Sequence, residues 1–235
     1  MERALLECKS VTKSFGKLMA LDGVNLSVNE GEMLGLIGPN GSGKTTLINC
    51  ISGFYKPTSG SVIFMSKDIV RLKPYSICKT GIARTFQVPR PFPRLTVLEN
   101  VMVSSEGNRD IALKYVERVK LSEMKDAQAK NLTFHQIRLM EIARALASAP
   151  KFLLLDEVMS GLNPVEIDES IKLLGEIRKT GITILWVEHI MRAIMRAVDR
   201  IVVLHEGKKI AEGTPKQIAN DEKVVAAYLG EKYVI

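Results

Sequence analysis

The chain has 235 residues, 46% of them hydrophobic and 25% charged, with a formal net charge of +7. That much apolar content buries a real core, which excludes a disordered or fibrous chain, and the length suits one large domain or two small ones. The positive charge suits nucleotide, nucleic acid or an anionic membrane face without separating them, and lysines that merely keep the protein soluble explain it equally well.

The opening stretch, MERALLECKSVTKSF, has no long apolar core behind its charges. No secretory signal is expected, no run approaches the length that crosses a bilayer, and the chain is expected to be cytosolic. Segments 5–13, 24–29 and 61–66 are short and alternate or carry β-branched residues, which predicts small antiparallel strands. The runs MLGLIG (33–38), FLLLD (152–156), ITILWV (182–187) and RIVVL (200–204) differ, being almost continuously apolar. Such runs imply strands covered on both faces, as in a parallel sheet flanked by helices. Helical patterns fall at 44–53, 110–120, 136–148, 165–179, 190–197 and 215–228, with Pro164 suited to the first helical residue and Gly181 following the end of that helix. From about 88 to 148 helical patterns occur with no buried strand between them, which predicts a mainly helical insertion. The last apolar run stops at His205-Glu206-Gly207, a hairpin turn into KKIAEG. Alternating strands and helices make the fold class α/β. Cys8, Cys50 and Cys78 show neither disulfide nor zinc spacing and read as reduced packing residues, so no metal site follows from them.

Residues 38–45, GPNGSGKT, match G-x-x-x-x-G-K-[ST] between a buried strand and a helix, the context that a phosphate-binding loop requires. Glycines at 38, 41 and 43 let the backbone wrap so that N–H groups point inward at a polyphosphate, with the helix N-terminus adding positive potential. Lys44 would reach the β- and γ-phosphates, and the Thr45 hydroxyl would ligate Mg²⁺. FLLLDE places Asp156 and Glu157 at the end of a buried strand, where parallel sheets carry their chemistry. Asp156 suits Mg²⁺, commonly through water, and Glu157 is the first choice for orienting and deprotonating an attacking water. Adjacent carboxylates at a strand end are often only a solvated cap; the phosphate loop favours the functional reading here.

These elements, in this order, resemble the ATP-binding cassette family over nearly the whole chain: Phe15 in KSFGKLMAL, GPNGSGKTT, Gln87 in ARTFQ, LTFHQ (132–136) at the family's signature position, LLLDE, SGLN (160–163) and His189 in WVEH. The resemblance implies a single ATPase domain over 1–235 with a P-loop NTPase core, a mainly parallel sheet, a small antiparallel β subdomain and a helical subdomain at about 88–148. It implies ATP and Mg²⁺ as ligands, held by Phe15 stacked on adenine, by Gly38, Pro39, Asn40, Gly41, Ser42, Gly43, Lys44, Thr45 and Thr46 around the phosphates, and by Thr45, Gln87 and Asp156 at the metal. Glu157, Lys44, Gln87 and His189 would act in catalysis, Gln87 reporting the nucleotide state and His189 bridging the γ-phosphate and Glu157. It also implies that Leu132, Thr133, Phe134, His135 and Gln136 begin a helix facing the ATP held by a second chain.

The family's usual signature is Leu-Ser-Gly-Gly-Gln. Thr133 keeps the hydroxyl, and the third position tolerates variation on steric grounds. His135 departs most, because glycine lets backbone approach an anion where a Cβ and an imidazole need space. A weakened trans site is therefore expected. Asn163 stands where the family often has Asp and Val158 where Pro commonly follows the glutamate, so tuning of the subunit seam is expected there, with no loss.

GIARTFQ, LTVLENV, GLNP and the ending EGTPKQIANDEKVVAAYLGE resemble the ATPase subunits of branched-chain amino acid uptake systems. That resemblance implies a peripheral protein at the cytoplasmic face of the membrane, with integral-membrane permease subunits and a second ATPase chain as partners, a solute-binding protein as an indirect one, and no nucleic acid. The Pro/Phe cluster at 89–93 offers a socket wall for a permease helix. ATPases serving urea or short amides would look similar. A soluble cassette ATPase acting on nucleic acid or ribosomes would carry inserted coiled coils or a second cassette, and a small-molecule kinase would leave the signature, Gln87 and His189 unexplained together.

Overall fold

The computed structural model describes residues 4–229. Strands β1 (Ala4–Phe15) and β2 (Leu18–Asn29) form a long antiparallel hairpin that turns at Gly16, whose φ of +59° suits a residue without Cβ. The polypeptide then enters the buried β3 (Met33–Ile37), turns through residues 38–43 and starts α1 (Lys44–Ile51). Strands β4 (Ser59–Phe64) and β5 (Lys67–Asp68) complete a four-stranded antiparallel sheet in the order β2-β1-β4-β5.

Helix α2 (Pro74–Thr80) leads into β6 (Ile82–Arg84), after which the chain builds α3 (Val97–Met102), α4 (Arg109–Arg118) and α5 (Phe134–Ala147), joined by turns and short 3-10 segments. It returns through β7 (Phe152–Asp156), α6 (Pro164–Arg178), β8 (Thr183–Val187), α7 (Met191–Ala197), β9 (Arg200–His205), β10 (Lys208–Gly213), α8 (Pro215–Ala219) and α9 (Glu222–Leu229). The second sheet runs β10-β9-β3-β8-β7-β6, parallel except for the β9/β10 hairpin at His205–Lys208.

This sheet is covered on both faces, and the period of two along each strand divides its side chains between two cores. Leu34, Leu36, Phe152, Leu154, Leu185, Val187, Val202 and Leu204 pack with α1 and the antiparallel sheet. Met33, Ile37, Leu153, Leu155, Ile184, Trp186, Ile201 and Val203 pack against the helices of the opposite face. Because β6, β7, β8 and β3 are parallel, their C-terminal ends share one edge, and residues 38–45, 85–87, 156–157 and 188–189 all leave the sheet there.

The differences from the sequence reading have local causes. β1 and β2 outrun segments 5–13 and 24–29 because hairpin pairing continues to Phe15↔Leu18. β6, three residues long, escapes a periodicity search, and α2 and α3, at seven and six residues, span no more than about two helical turns. Helix α5 starts two residues before 136 because Thr133, not a later residue, caps it. The pattern at 215–228 breaks at Asn220-Asp221, where Asp221 Oδ1 accepts the Lys223 and Val224 N–H groups at 2.8 and 3.3 Å and starts a new helix.

Candidate functional site

The loop after β3 is shaped by two glycines whose positions admit nothing larger. At Gly38 (φ +152°) a Cβ would lie 2.1 Å from the Leu204 carbonyl oxygen, and at Gly43 (φ +103°) it would lie 2.7 Å from that of Ala20. At these two positions the curl between the sheet edge and α1 is therefore bare backbone. Lys44 is buried inside it, with Nζ donating to the carbonyls of Gly38 and Pro39 at 2.7 and 2.9 Å. Burial lowers its pKa, and the nearby Glu157 and Asp156 oppose that shift. Thr45 is exposed on the first helical turn, and the buried Ser42 hydroxyl has no protein partner.

Asp156 ends β7 fully inside the protein. Its Oδ2 accepts Arg84 Nη2 at 2.9 Å, while Oδ1 is buried and unpartnered. Burial pushes its pKa above the ordinary carboxylate range, with the Arg84 ion pair pulling back. Glu157 next to it has φ +50°, the left-handed region that a residue with a Cβ enters at a cost of ~1 kcal/mol or more. Its N–H donates to the Val187 carbonyl at 2.9 Å, which fixes that turn against the end of β8. The turned side chain meets two of the groups expected beside it: Gln87 Nε2 donates to Glu157 Oε2 at 2.7 Å, and His189 Nδ1 stands 3.8 Å from the same oxygen.

The orphaned Ser42 and Asp156 oxygens beside a curl of backbone N–H groups fit a polyphosphate and its hydrated divalent cation. Among the described residues no cluster of three or more His, Cys, Asp or Glu forms a protein-only metal cage. A Mg²⁺ bound through one carboxylate, one hydroxyl and substrate phosphates needs none.

Several contributors were not legible beforehand. Glu188 is fully buried, with Oε1 accepting the Met159 N–H at 2.8 Å and Oε2 that of His189 at 3.2 Å, so it joins the segment after Glu157 to His189. Burial raises its pKa. Arg138, on α5, donates to the carbonyls of Phe86 and Gln87 at 2.9 and 2.7 Å, holding Gln87 from the helical side. Arg84 lies against the rings of Phe54 and Phe86, which also touch each other edge-to-face. Two arginines in a basic chain carry no sequence signal, because their partners are remote in sequence.

Phe15 ends β1 half-exposed, edge-to-face with Tyr55 at 5.2 Å and with Lys13 Nζ 4.9 Å from its ring centre. The signature segment lies elsewhere. Among the described residues, 132–136 make no hydrogen bond or ion pair with the phosphate loop of the same chain. Thr133 and Gln136 form a reciprocal capping box at the start of α5, leaving the Phe134 and His135 N–H groups without an intrahelical partner. Phe134 packs over Gly161, where an added Cβ would lie 3.2 Å from its ring. The His135 side chain is only 13% exposed, and Nδ1 is 3.7 Å from Glu166 Oε1. The imidazole is thus tucked against the start of α6 and does not stand free above α5. Asn163 caps α6, with Oδ1 accepting the Val165 and Glu166 N–H groups at 2.9 and 3.0 Å, and Val158 is buried.

A groove of about 1110 Å³ opens on the side of Arg84, lined by Phe54, Tyr75, Phe86, Arg90 and Val103 among others. Of the 89–93 cluster only Arg90 lines it. Phe92 lies under Arg144, and the buried Asn100 side chain binds the Phe92 N–H and carbonyl, so the cluster is a braced loop that meets the groove through Arg90.

The model of the ABC transporter family matches residues 21–160, and that of the branched-chain amino acid ATP-binding cassette transporter matches 208–234. The chain is 37% identical to the high-affinity branched-chain amino acid transport ATP-binding protein BraF of Pseudomonas aeruginosa, over 98% of this chain and 100% of that one. A nucleotide-free ATP-binding cassette from an ABC transporter superposes with a TM-score of 0.91 at 36% identity, covering 96% of this chain and 99% of the other. A dimeric cassette in a post-hydrolysis state, bound to ADP and Pi, superposes at 0.81 and 29% identity over 89% and 98%. With the phosphate loop, the Asp156-Glu157 pair and the flanking Gln87 and His189 assembled on one sheet edge, these matches establish that the chain belongs to the ABC transporter family, as an ATP-binding cassette.

Proposed function

We propose that the chain is the ATP-hydrolysing subunit of an importer for branched-chain amino acids, working at the cytoplasmic face of the membrane with permease subunits, a second cassette chain and, indirectly, a solute-binding protein. The observation that carries the ATPase part is the Glu157 carboxylate, turned by its left-handed backbone onto Gln87 and His189 beside the phosphate loop. The match of residues 208–234 and the name of the BraF relative support the amino acid class.

In this reading Phe15 stacks on adenine, and residues 38–46 bind the phosphates through backbone N–H groups and the Lys44 ammonium. Thr45, Asp156 and Gln87 would hold Mg²⁺, which would supply neutralisation of the phosphate charge. Glu157 orients a water and takes its proton as the water oxygen bonds the γ-phosphorus and the bond to the β-phosphate oxygen breaks. His189 holds Glu157 and the γ-phosphate in register. Residues 132–136 face the ATP of the second chain, so that ATP joins two chains and its hydrolysis releases them.

Residues 88–148 act in this reading as a helical subdomain, and the groove beside Arg84 receives the permease. Its exposed rings, Phe54, Tyr75 and Phe86, supply apolar contact, and Arg90 at its rim favours an acidic helix. Among the described residues no helix is long and apolar enough to cross a membrane, so membrane attachment in this scheme comes from the permease.

Reconstitution of the chain with the permease and solute-binding proteins of a branched-chain amino acid importer that copurify with it tests the assignment. Leucine, isoleucine or valine is expected to raise ATP hydrolysis several-fold and to accumulate inside vesicles. Stimulation by urea or short amides in their place would overturn the amino acid class.

A further inference from the structure

Arg84 closes β6, and no step of the catalytic reading uses it. Its side chain is 8% exposed and that of its ion-pair partner, Asp156, is 1% exposed. Nη2 donates to Asp156 Oδ2 at 2.9 Å, and Nη1 donates to Asn49 Oδ1 at 2.6 Å and to Ser52 Oγ at 3.0 Å, on and just past the last turn of α1. The rings of Phe54 and Phe86, themselves edge-to-face at 5.7 Å, lie 5.5 and 5.1 Å from the guanidinium carbon. The guanidinium is therefore held by α1 on one side, by β7 on another and by two aromatic rings.

Asp156 is held correspondingly. Its N–H donates to Thr85 Oγ1 at 3.3 Å, Oδ2 is engaged by Arg84, and Oδ1 is left buried with no protein partner. A carboxylate clamped at one oxygen presents the other in a single direction. The clamp reaches across to α1, the helix that begins at Lys44 and carries Thr45, so the hydroxyl and the carboxylate belong to one braced frame. A lysine would put a single ammonium where the planar fork meets three oxygens from two elements.

We propose that Arg84 is a positioning residue for the divalent cation that accompanies ATP: by tying the Asp156 carboxylate to the end of α1, it aims Oδ1 at the cation. The proposal rests on the reading of Asp156 as a cation ligand. A pair with only a structural role would lower the melting temperature and leave the cation affinity of the folded protein unchanged.

The test uses the purified full chain. ATP affinity is measured in EDTA by displacement of a fluorescent ATP analogue, and Mn²⁺ held by the protein–ATP complex is followed by electron paramagnetic resonance. Arg84→Gln is expected to keep its metal-free ATP affinity within about twofold of the parent and to bind Mn²⁺ about 10-fold more weakly, the size of a lost outer-sphere partner. Asn49→Ala removes one anchor of the guanidinium and keeps the ion pair, so its Mn²⁺ affinity should fall in the same direction by less than that of Arg84→Gln, and it supplies the result if Arg84→Gln does not fold. Unchanged Mn²⁺ affinity in the folded variants, or equal loss of metal-free and metal-bound affinity, overturns the proposal. If the parent binds ATP but its complex retains no Mn²⁺ beyond that of free ATP, the assignment of Asp156 fails and the proposal falls with it.

Discussion

A glycine at position 135 would leave the first turn of α5 bare to an anion, whereas this chain places an imidazole there. Its ring escapes into the seam with α6, near Glu166, but its Nε2 is buried without a partner and its Cβ remains on the turn. In the proposed pairing, the helix end that meets the second chain's ATP would carry a Cβ and a side chain whose Nε2 has no partner within the protein. Exchange of His135 for Gly is expected to strengthen ATP-dependent pairing of the chain about fivefold, the equivalent of ~1 kcal/mol for an anion at a helix N-terminus. Analytical ultracentrifugation with and without ATP reads the effect, and pairing that is unchanged or weaker would refute it. Position 163 shows another use of a departure from the family pattern. The expected tuning of the subunit seam has a local counterpart, since Asn163 Oδ1 is already committed to the N–H groups of Val165 and Glu166.

The cap at Asn163 and Pro164 belongs to α6 as an element. With Glu166 Oε2 accepting the Asn163 N–H at 2.9 Å, it is a reciprocal box like the one Thr133 and Gln136 make on α5. Asn163→Ala should cost about 1 kcal/mol of stability, seen as a lowered melting temperature with the nucleotide-free protein, and an unchanged melting temperature would contradict the cap's contribution. Elements were legible in the sequence wherever a period or a fixed spacing spanned several residues. FLLLD and RIVVL announced strands buried on both faces, GPNGSGKT announced the turn between β3 and α1, and the start of α6 was visible in Pro164. What stayed hidden depends on tertiary partners. β6 is too short for a period to show, and its end residue Arg84 gains meaning only from Asp156, 72 positions away. Arg138 likewise serves Gln87 across 51 positions, and the burial that makes Glu188 a brace is invisible in a strand-end Glu-His pair.

On the scale of the whole molecule, two cores frame the site from the two faces of the sheet. One core joins α1 to the antiparallel sheet, and the other joins β7 and β8 to α5 and α6. Gln87, exposed at the edge of the sheet, is bonded to Glu157 through its side chain and to Arg138 of α5 through its carbonyl, and in the proposed function these two hydrogen bonds would carry a change at the nucleotide to the helical segment. The adjacent groove would then feel the state of the site, as coupling to a permease requires. The net charge of +7 fixed none of this in advance, since it suits nucleotide, nucleic acid and membrane surface alike. The specificity came from ordered motifs, and the chemistry came from where the sheet brings their ends together.

In the proposed function Glu157 acts as the base beside a bound ATP. The most direct test compares the parent with Glu157→Gln, both assembled with the permease and supplied with Mg²⁺, measuring ATP retention and phosphate release on the same samples. The variant is expected to retain ATP and to release phosphate at least ~100-fold more slowly. Phosphate release at the parental rate, or a parent that retains no ATP, would contradict it.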